Sequence, residues 1–195
     1  KTSLDPIESS LYLNDTTIQL PSFLMYKPQL LSKNMDQGIC GSCWAFASCN
    51  VLSDRASIFT NGIFNKRLSV QQIISCLEDG CKGGSPEKVF KWLIDNKLYT
   101  EEKYRYNQEN STEIQTSCKY FKPQKEEFNI LKNSLNSLTE FIPESQPDRN
   151  VLDRNIKNMK LELLLNGPFV AIITIYEDFI HFDGKTIYKY DHKSQ

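Results

Sequence analysis

Over residues 1–36 the apolar positions keep no fixed period, and Pro6, Pro21 and Pro28 break them into short pieces. That pattern predicts an extended N-terminal segment, 1–33, packing across the rest of the protein. From position 43 the pattern changes. Trp44, Ala47, Val51 and Ile58 recur at near-helical spacing, and Asp54 and Arg55 supply polar surface. This predicts a helix over 43–59, closed by the turn signal Asn61-Gly62. Ser69 with Gln72 three residues on is a capping box and predicts a second helix reaching Ser75. Ser85 at an N-cap, Pro86 at the first helical position, then Val89, Phe90, Trp92 and Leu93 predict a third. Residues 101–127 are charged, tyrosine-bearing and loop-like, and "IPESQPDRN" reads as a surface insertion. A helix over 151–165 follows, stopped by Asn166-Gly167. "PFVAIITIY", 168–176, is β-branched and apolar and predicts a buried strand. Helices first and strands after predict an α+β chain of two lobes, a helical one over 34–128 and a β lobe beginning within 129–195.

Composition narrows the function classes. The chain has 195 residues, 39% apolar, with a formal net charge of −1 and both signs interspersed. A basic surface for nucleic acid is not indicated. No apolar run approaches the roughly 18 residues of a membrane helix. Lys1 is followed by polar and acidic residues with no leader-like run, so a secreted form is expected to be a processed one. Six cysteines permit about 15 complete pairings, and count alone does not choose among them. The sequons Asn14-Asp15-Thr16 and Asn110-Ser111-Thr112 are compatible with an oxidising, glycosylating route.

Three of the cysteines lie in "DQGICGSCWAFASC". A catalytic cysteine works as a thiolate, and a helix N-terminus favours the anion through its unpaired N–H groups and dipole. Cys43 falls where the first predicted helix starts. Gly41 and Ser42 before it leave room for a substrate backbone, and Gln37 carries an amide within reach of an oxyanion. A cysteine at a helix start is usually structural, so the case rests on its surroundings. A zinc site at Cys40 and Cys81 is disfavoured, because no second C-x₂-C pair recurs and no histidine is near in sequence.

The run Gln37-Gly38-Ile39-Cys40-Gly41-Ser42-Cys43-Trp44-Ala45-Phe46 resembles the active-site segment of papain-like cysteine proteases. Ile18 to Phe23 resembles the start of the mature enzyme. Ser53-Asp54-Arg55 and the stretch from Ser69 to Cys76 resemble the cathepsin B branch, and Asn166-Gly167-Pro168-Phe169-Val170 resembles the approach to the second-lobe strands. The resemblance implies a papain-like two-lobe fold with a helical lobe and an incomplete β-barrel lobe. It implies Cys43 as nucleophile, with Gln37 and the Cys43 backbone N–H as the oxyanion hole. Disulfides Cys40–Cys81 and Cys76–Cys118 follow from it, and Cys49, which matches no family half-cystine, is expected to be a buried small side chain. Gly41 and Ser42 would border the substrate, Gly83 and Gly84 would run beside it, Ser85 and Pro86 would rim the second specificity pocket, and Ile172 would line its floor. Trp44 and Phe46, with Tyr99, Tyr104 and Tyr106, read as packing residues.

The same resemblance calls for a base and an asparagine that orients it. The chain has two histidines, His181 and His192, and neither has the family's flanking residues. The base and the Asn-Ser-Trp-Gly segment are therefore expected beyond Gln195, with His192 the lesser candidate. Implied partners are a peptide or protein substrate and a propeptide or second chain that supplies the rest of the β lobe; no cofactor or metal is implied. The implied setting is a secreted or lysosome-like oxidising lumen, with virion association as a further option. No histidine lies between Tyr104 and Cys118, where the cathepsin B branch carries a groove-capping loop, so an open groove and endopeptidase action are expected. The rival readings are a catalytically silent homologue with a binding role and a transpeptidase on the same scaffold.

Overall fold

The computed structural model describes residues 19–77, 80–108, 110–112, 117–118 and 148–189. Four α-helices appear among them: α1 (Cys43–Phe59), α2 (Val70–Cys76), α3 (Pro86–Asp95) and α4 (Arg149–Asn166), with 3₁₀ turns at Pro28–Leu30 and Glu177–His181. Each predicted helix is present, because local signals set its ends. Ser85 Oγ accepts from Glu87 N at 3.2 Å with Pro86 in the first turn, and Gly167, at φ 98°, halts α4.

The core lies where α1, α2 and α3 meet. Trp44, Ala45, Phe46 and Cys49 of α1 pack with Val70, Ile73 and Ile74 of α2, Val89 and Leu93 of α3, and Leu68, Leu98 and Tyr106 from the connections. A helix of seven residues is marginal alone. Buried polar side chains hold α2 in place. Gln72 Nε2 donates to Lys97 O at 2.8 Å and its Oε1 accepts from Tyr99 N at 2.8 Å, while Gln71 Oε1 accepts from Asn107 N at 3.0 Å. Only half of the expected capping box forms. Ser69 Oγ accepts from Gln72 N, but Gln72 turns to Lys97 and Tyr99 and does not reach back to Ser69, whose own N–H donates to Tyr99 O.

The described part of the N-terminal segment, from residue 19, makes contacts with α1, α4 and the chain before α2. Ser32 N donates to Asp54 Oδ1 at 2.6 Å, Arg67 donates to Lys33 O at 3.0 Å, and the Tyr26 hydroxyl donates to Leu163 O of α4. Arg55 ties α1 to α4, pairing with Glu162 at 2.7 Å and donating from Nε to Pro168 O at 2.5 Å.

The strand expected at 168–176 is absent. Residues 168–176 form no strand, and Ile173 and Ile175 are exposed. Among the described residues the only β pairings are isolated bridges, Gly41 with Lys82 and Leu68 with Thr100. A strand needs a partner for its backbone groups and a layer for its side chains, and no described segment offers either to 168–176. The β lobe is thus not seen among the described residues.

Candidate active site

Cys43 is the first residue of α1, and Ser42 is its N-cap. Of the six cysteines, four are joined as Cys40–Cys81 and Cys76–Cys118. Cys49 is buried, its thiol donates to Ser69 O at 3.6 Å, and burial pushes its pKa far up, so it stays protonated. Cys43 is the remaining thiol, unpaired and exposed. Of the two free thiols, only this sulfur is open to solvent.

The chain around it is braced against residues 81–84. Gly41 N donates to Cys81 O at 2.9 Å, next to the Cys40–Cys81 disulfide. A methyl at Gly41 would stand 2.5 Å from Cys81 O, so the close approach requires glycine there. Gly84 meets the same constraint against the Trp44 ring, where an added Cβ would fall 2.6 Å from two ring carbons. Gly83 differs. Its φ is 92°, and an added Cβ would meet nothing within 4 Å. Gly83 therefore faces open space beside the nucleophile loop, with half-buried Ser85 and Pro86 next in sequence at the start of α3.

Gln37 is half-buried, and its Nε2 donates to Cys40 O at 3.0 Å, which leaves one amide hydrogen for another acceptor. Ser42 is fully buried, so its side chain touches no substrate and only its backbone can border one. Ile172, expected as a pocket floor, is 85% exposed among the described residues. His181 is exposed at the end of its 3₁₀ turn, while His192 lies outside the described residues. Among the described residues no three His, Cys, Asp or Glu side chains gather as a metal site, and no helix is long and apolar enough to cross a membrane.

Two contributors escape sequence reasoning. The Tyr106 hydroxyl lies 2.7 Å from Gln37 O and 2.9 Å from Ser42 Oγ, and Glu101 Oε1 accepts from Tyr106 N at 2.7 Å. Sequence separations of 69 and 64 residues carry no local signal, so Tyr106 looks like any packing tyrosine until the fold is known.

The family model for papain family cysteine proteases matches residues 23–195. Cathepsin B-like cysteine proteinase 5 of Caenorhabditis elegans is 30% identical over 186 residues, covering 80% of this chain and 52% of its own length. Cathepsin B-like cysteine proteinase 1 of Ostertagia ostertagi is 31% identical over 178 residues, with 80% and 49% covered. Tubulointerstitial nephritis antigen-like of Mus musculus is 27% identical over 180 residues, with 86% and 38% covered. A solved digestive procathepsin L2 from Tenebrio molitor overlaps 55% of this chain and 34% of its own, at TM-score 0.48 and 25% identity, too partial to add to the family match. The chain spans about half the length of the cathepsin B-like relatives it matches. With the family model covering nearly the whole sequence, the chain belongs to the papain family of cysteine proteases.

Proposed function

We propose that this chain carries the nucleophile of a cathepsin B-like cysteine endopeptidase. The observation behind the reading is that Cys43 alone among the six cysteines is both unpaired and exposed, at a helix N-terminus braced by Cys40–Cys81. In this reading an imidazole takes the Cys43 thiol proton, the thiolate sulfur attacks the peptide carbonyl carbon, and the carbonyl electrons move to oxygen. The Gln37 amide and the Cys43 backbone N–H donate to that oxyanion. As the tetrahedral species collapses, the C–N bond breaks and the amine leaves with a proton from an imidazolium. Water then cleaves the thioester, giving the acid and the free thiol. The imidazole belongs to a histidine outside the described residues. Gly83 and Gly84 run beside the substrate backbone, and Ser85 and Pro86 edge the second subsite.

The substrate is a peptide or protein, and a propeptide or second chain completing the β lobe is a proposed partner. The two disulfides suit an oxidising compartment, secreted or lysosome-like. The relatives, from Caenorhabditis elegans, Ostertagia ostertagi and Mus musculus, lend no support to virion association. The second reading is a silent homologue, favoured by relatives whose names describe an antigen and not a proteinase. Digestion of a peptide library by the natural full-length product separates the two. Internal cleavage that disappears in Cys43→Ala supports the endopeptidase. C-terminal dipeptides alone contradict the endopeptidase reading, and an intact library with the wild-type protein favours the silent homologue.

A further inference from the structure

An N-cap serine ordinarily turns its hydroxyl onto the N–H groups of the helix's first turn. Ser42 does not: it caps α1, yet its side chain makes no capping bond. Its backbone, at φ −104° and ψ 14°, is not the extended one of a capping serine, and its hydroxyl faces Tyr106. Gln37 O is a carbonyl and only accepts, so the single Tyr106 hydroxyl hydrogen is donated to it at 2.7 Å. The Tyr106 oxygen then accepts from Ser42 Oγ at 2.9 Å, a shorter contact than the 3.4 Å from Ser42 Oγ to Cys40 O. Ser42 is 0% exposed, so no water competes for its one hydrogen, and its hydroxyl is drawn away from the helix end. Tyr106 is held by its ring and its backbone. Its ring meets Phe46 edge-on at 4.8 Å between centroids, its backbone N–H donates to Glu101 Oε1 at 2.7 Å, and Glu101 N donates to Arg67 O at 2.8 Å.

From this chain of contacts we infer that Tyr106 is a positioning residue of the Cys43 site. It fixes the backbone of Gln37, whose amide is an oxyanion donor, and it holds Ser42, the residue before Cys43, through the same hydroxyl. The inference deepens the thiol-hydrolase reading and rests on it. Tyr106 touches neither substrate nor the reacting sulfur; it acts through Gln37 and Ser42.

The test compares wild type with Tyr106→Phe in the natural full-length product, each assayed well below its own melting midpoint. The variant keeps the ring and loses one oxygen. Loss of a whole oxyanion donor costs about 10²–10³ in kcat, so misplacing donors is expected to lower kcat for peptide hydrolysis about tenfold. KM is expected to move less than about twofold, because ground-state binding is untouched. Alkylation of Cys43 by iodoacetamide needs no oxyanion site and is expected to keep its wild-type rate. An unchanged kcat in Tyr106→Phe overturns this inference and leaves the hydrolase reading intact. Equal losses in hydrolysis and alkylation, or a variant that does not fold at any temperature, show a structural role only and also overturn it. A wild-type protein that hydrolyses no peptide overturns both readings.

Discussion

Gly41→Ala tests whether the nucleophile loop is held by direct backbone contact. The added methyl would lie 2.5 Å from Cys81 O, 3.3 Å from Gly83 N and 3.4 Å from Cys81 C. All three are backbone atoms, and the Cys40–Cys81 disulfide prevents the two segments from simply drifting apart. Relief requires residues 40–42 to back away, which breaks the 2.9 Å bond from Gly41 N to Cys81 O. Losing that bond costs about 1 kcal/mol and overpacking costs about 1–3 kcal/mol, so the total is about 2–4 kcal/mol. In a domain of this size each kcal/mol moves the midpoint by about 2–4 °C, giving a drop of about 4–16 °C. The assay is thermal unfolding of the oxidised full-length product, with Gly184→Ala as control. Gly184 has φ 71° with nothing within 4 Å of an added Cβ, so it bears only left-handed strain, about 1–2 kcal/mol. Peptide hydrolysis should fall about 10²-fold in Gly41→Ala, because a displacement near 1 Å reaches Cys43 two residues on. A Gly41→Ala protein melting within about 2 °C of wild type, under 1 kcal/mol of change, would refute the contact.

Other consequences follow from the disulfides and from the buried carboxyl. The Cys76–Cys118 disulfide spans 42 residues, and Cys76→Ser should destabilise the helical lobe by about 2–4 kcal/mol; an unchanged denaturation midpoint under oxidising conditions would contradict this. Burial raises the Glu101 carboxyl above its usual range, against the opposing pull of the Tyr106 and Val70 N–H groups and of Arg67 and Arg105. A raised carboxyl binds its proton more tightly when folded, so wild-type stability falls as pH rises from the unfolded carboxylate value, about 4.3, through the raised one. Glu101→Gln keeps an acceptor for Tyr106 N and has no charge to bury. Its stability relative to wild type should therefore grow as pH rises above the unfolded carboxylate value, and denaturant titrations showing a constant gap would contradict the assignment.

What the sequence disclosed tracks the range of the interaction responsible. Helix ends were legible because Ser85, Pro86, Asn166 and Gly167 act on their own neighbours. The residues beside Cys43 were legible through a motif only ten residues long. The segment 168–176 forms no strand, since β-branched apolar residues report fitness for a sheet and not the presence of one, and Ile172 within it stands exposed. Tyr106 was invisible as anything but packing, because its meaning lies in two oxygens more than 60 residues away. Gln72 shows a middle case: its backbone N–H obeyed the local capping signal, while its side chain obeyed tertiary partners.

The most direct measurement locates covalent labelling in the natural full-length product treated with an epoxide inhibitor of papain-like enzymes. One adduct per molecule, mapped by peptide mass spectrometry to the Cys43 sulfur and lost in Cys43→Ser, is the predicted result. An unlabelled protein, or an adduct on Cys49, would contradict the claim that the exposed thiol opening α1 is the nucleophile.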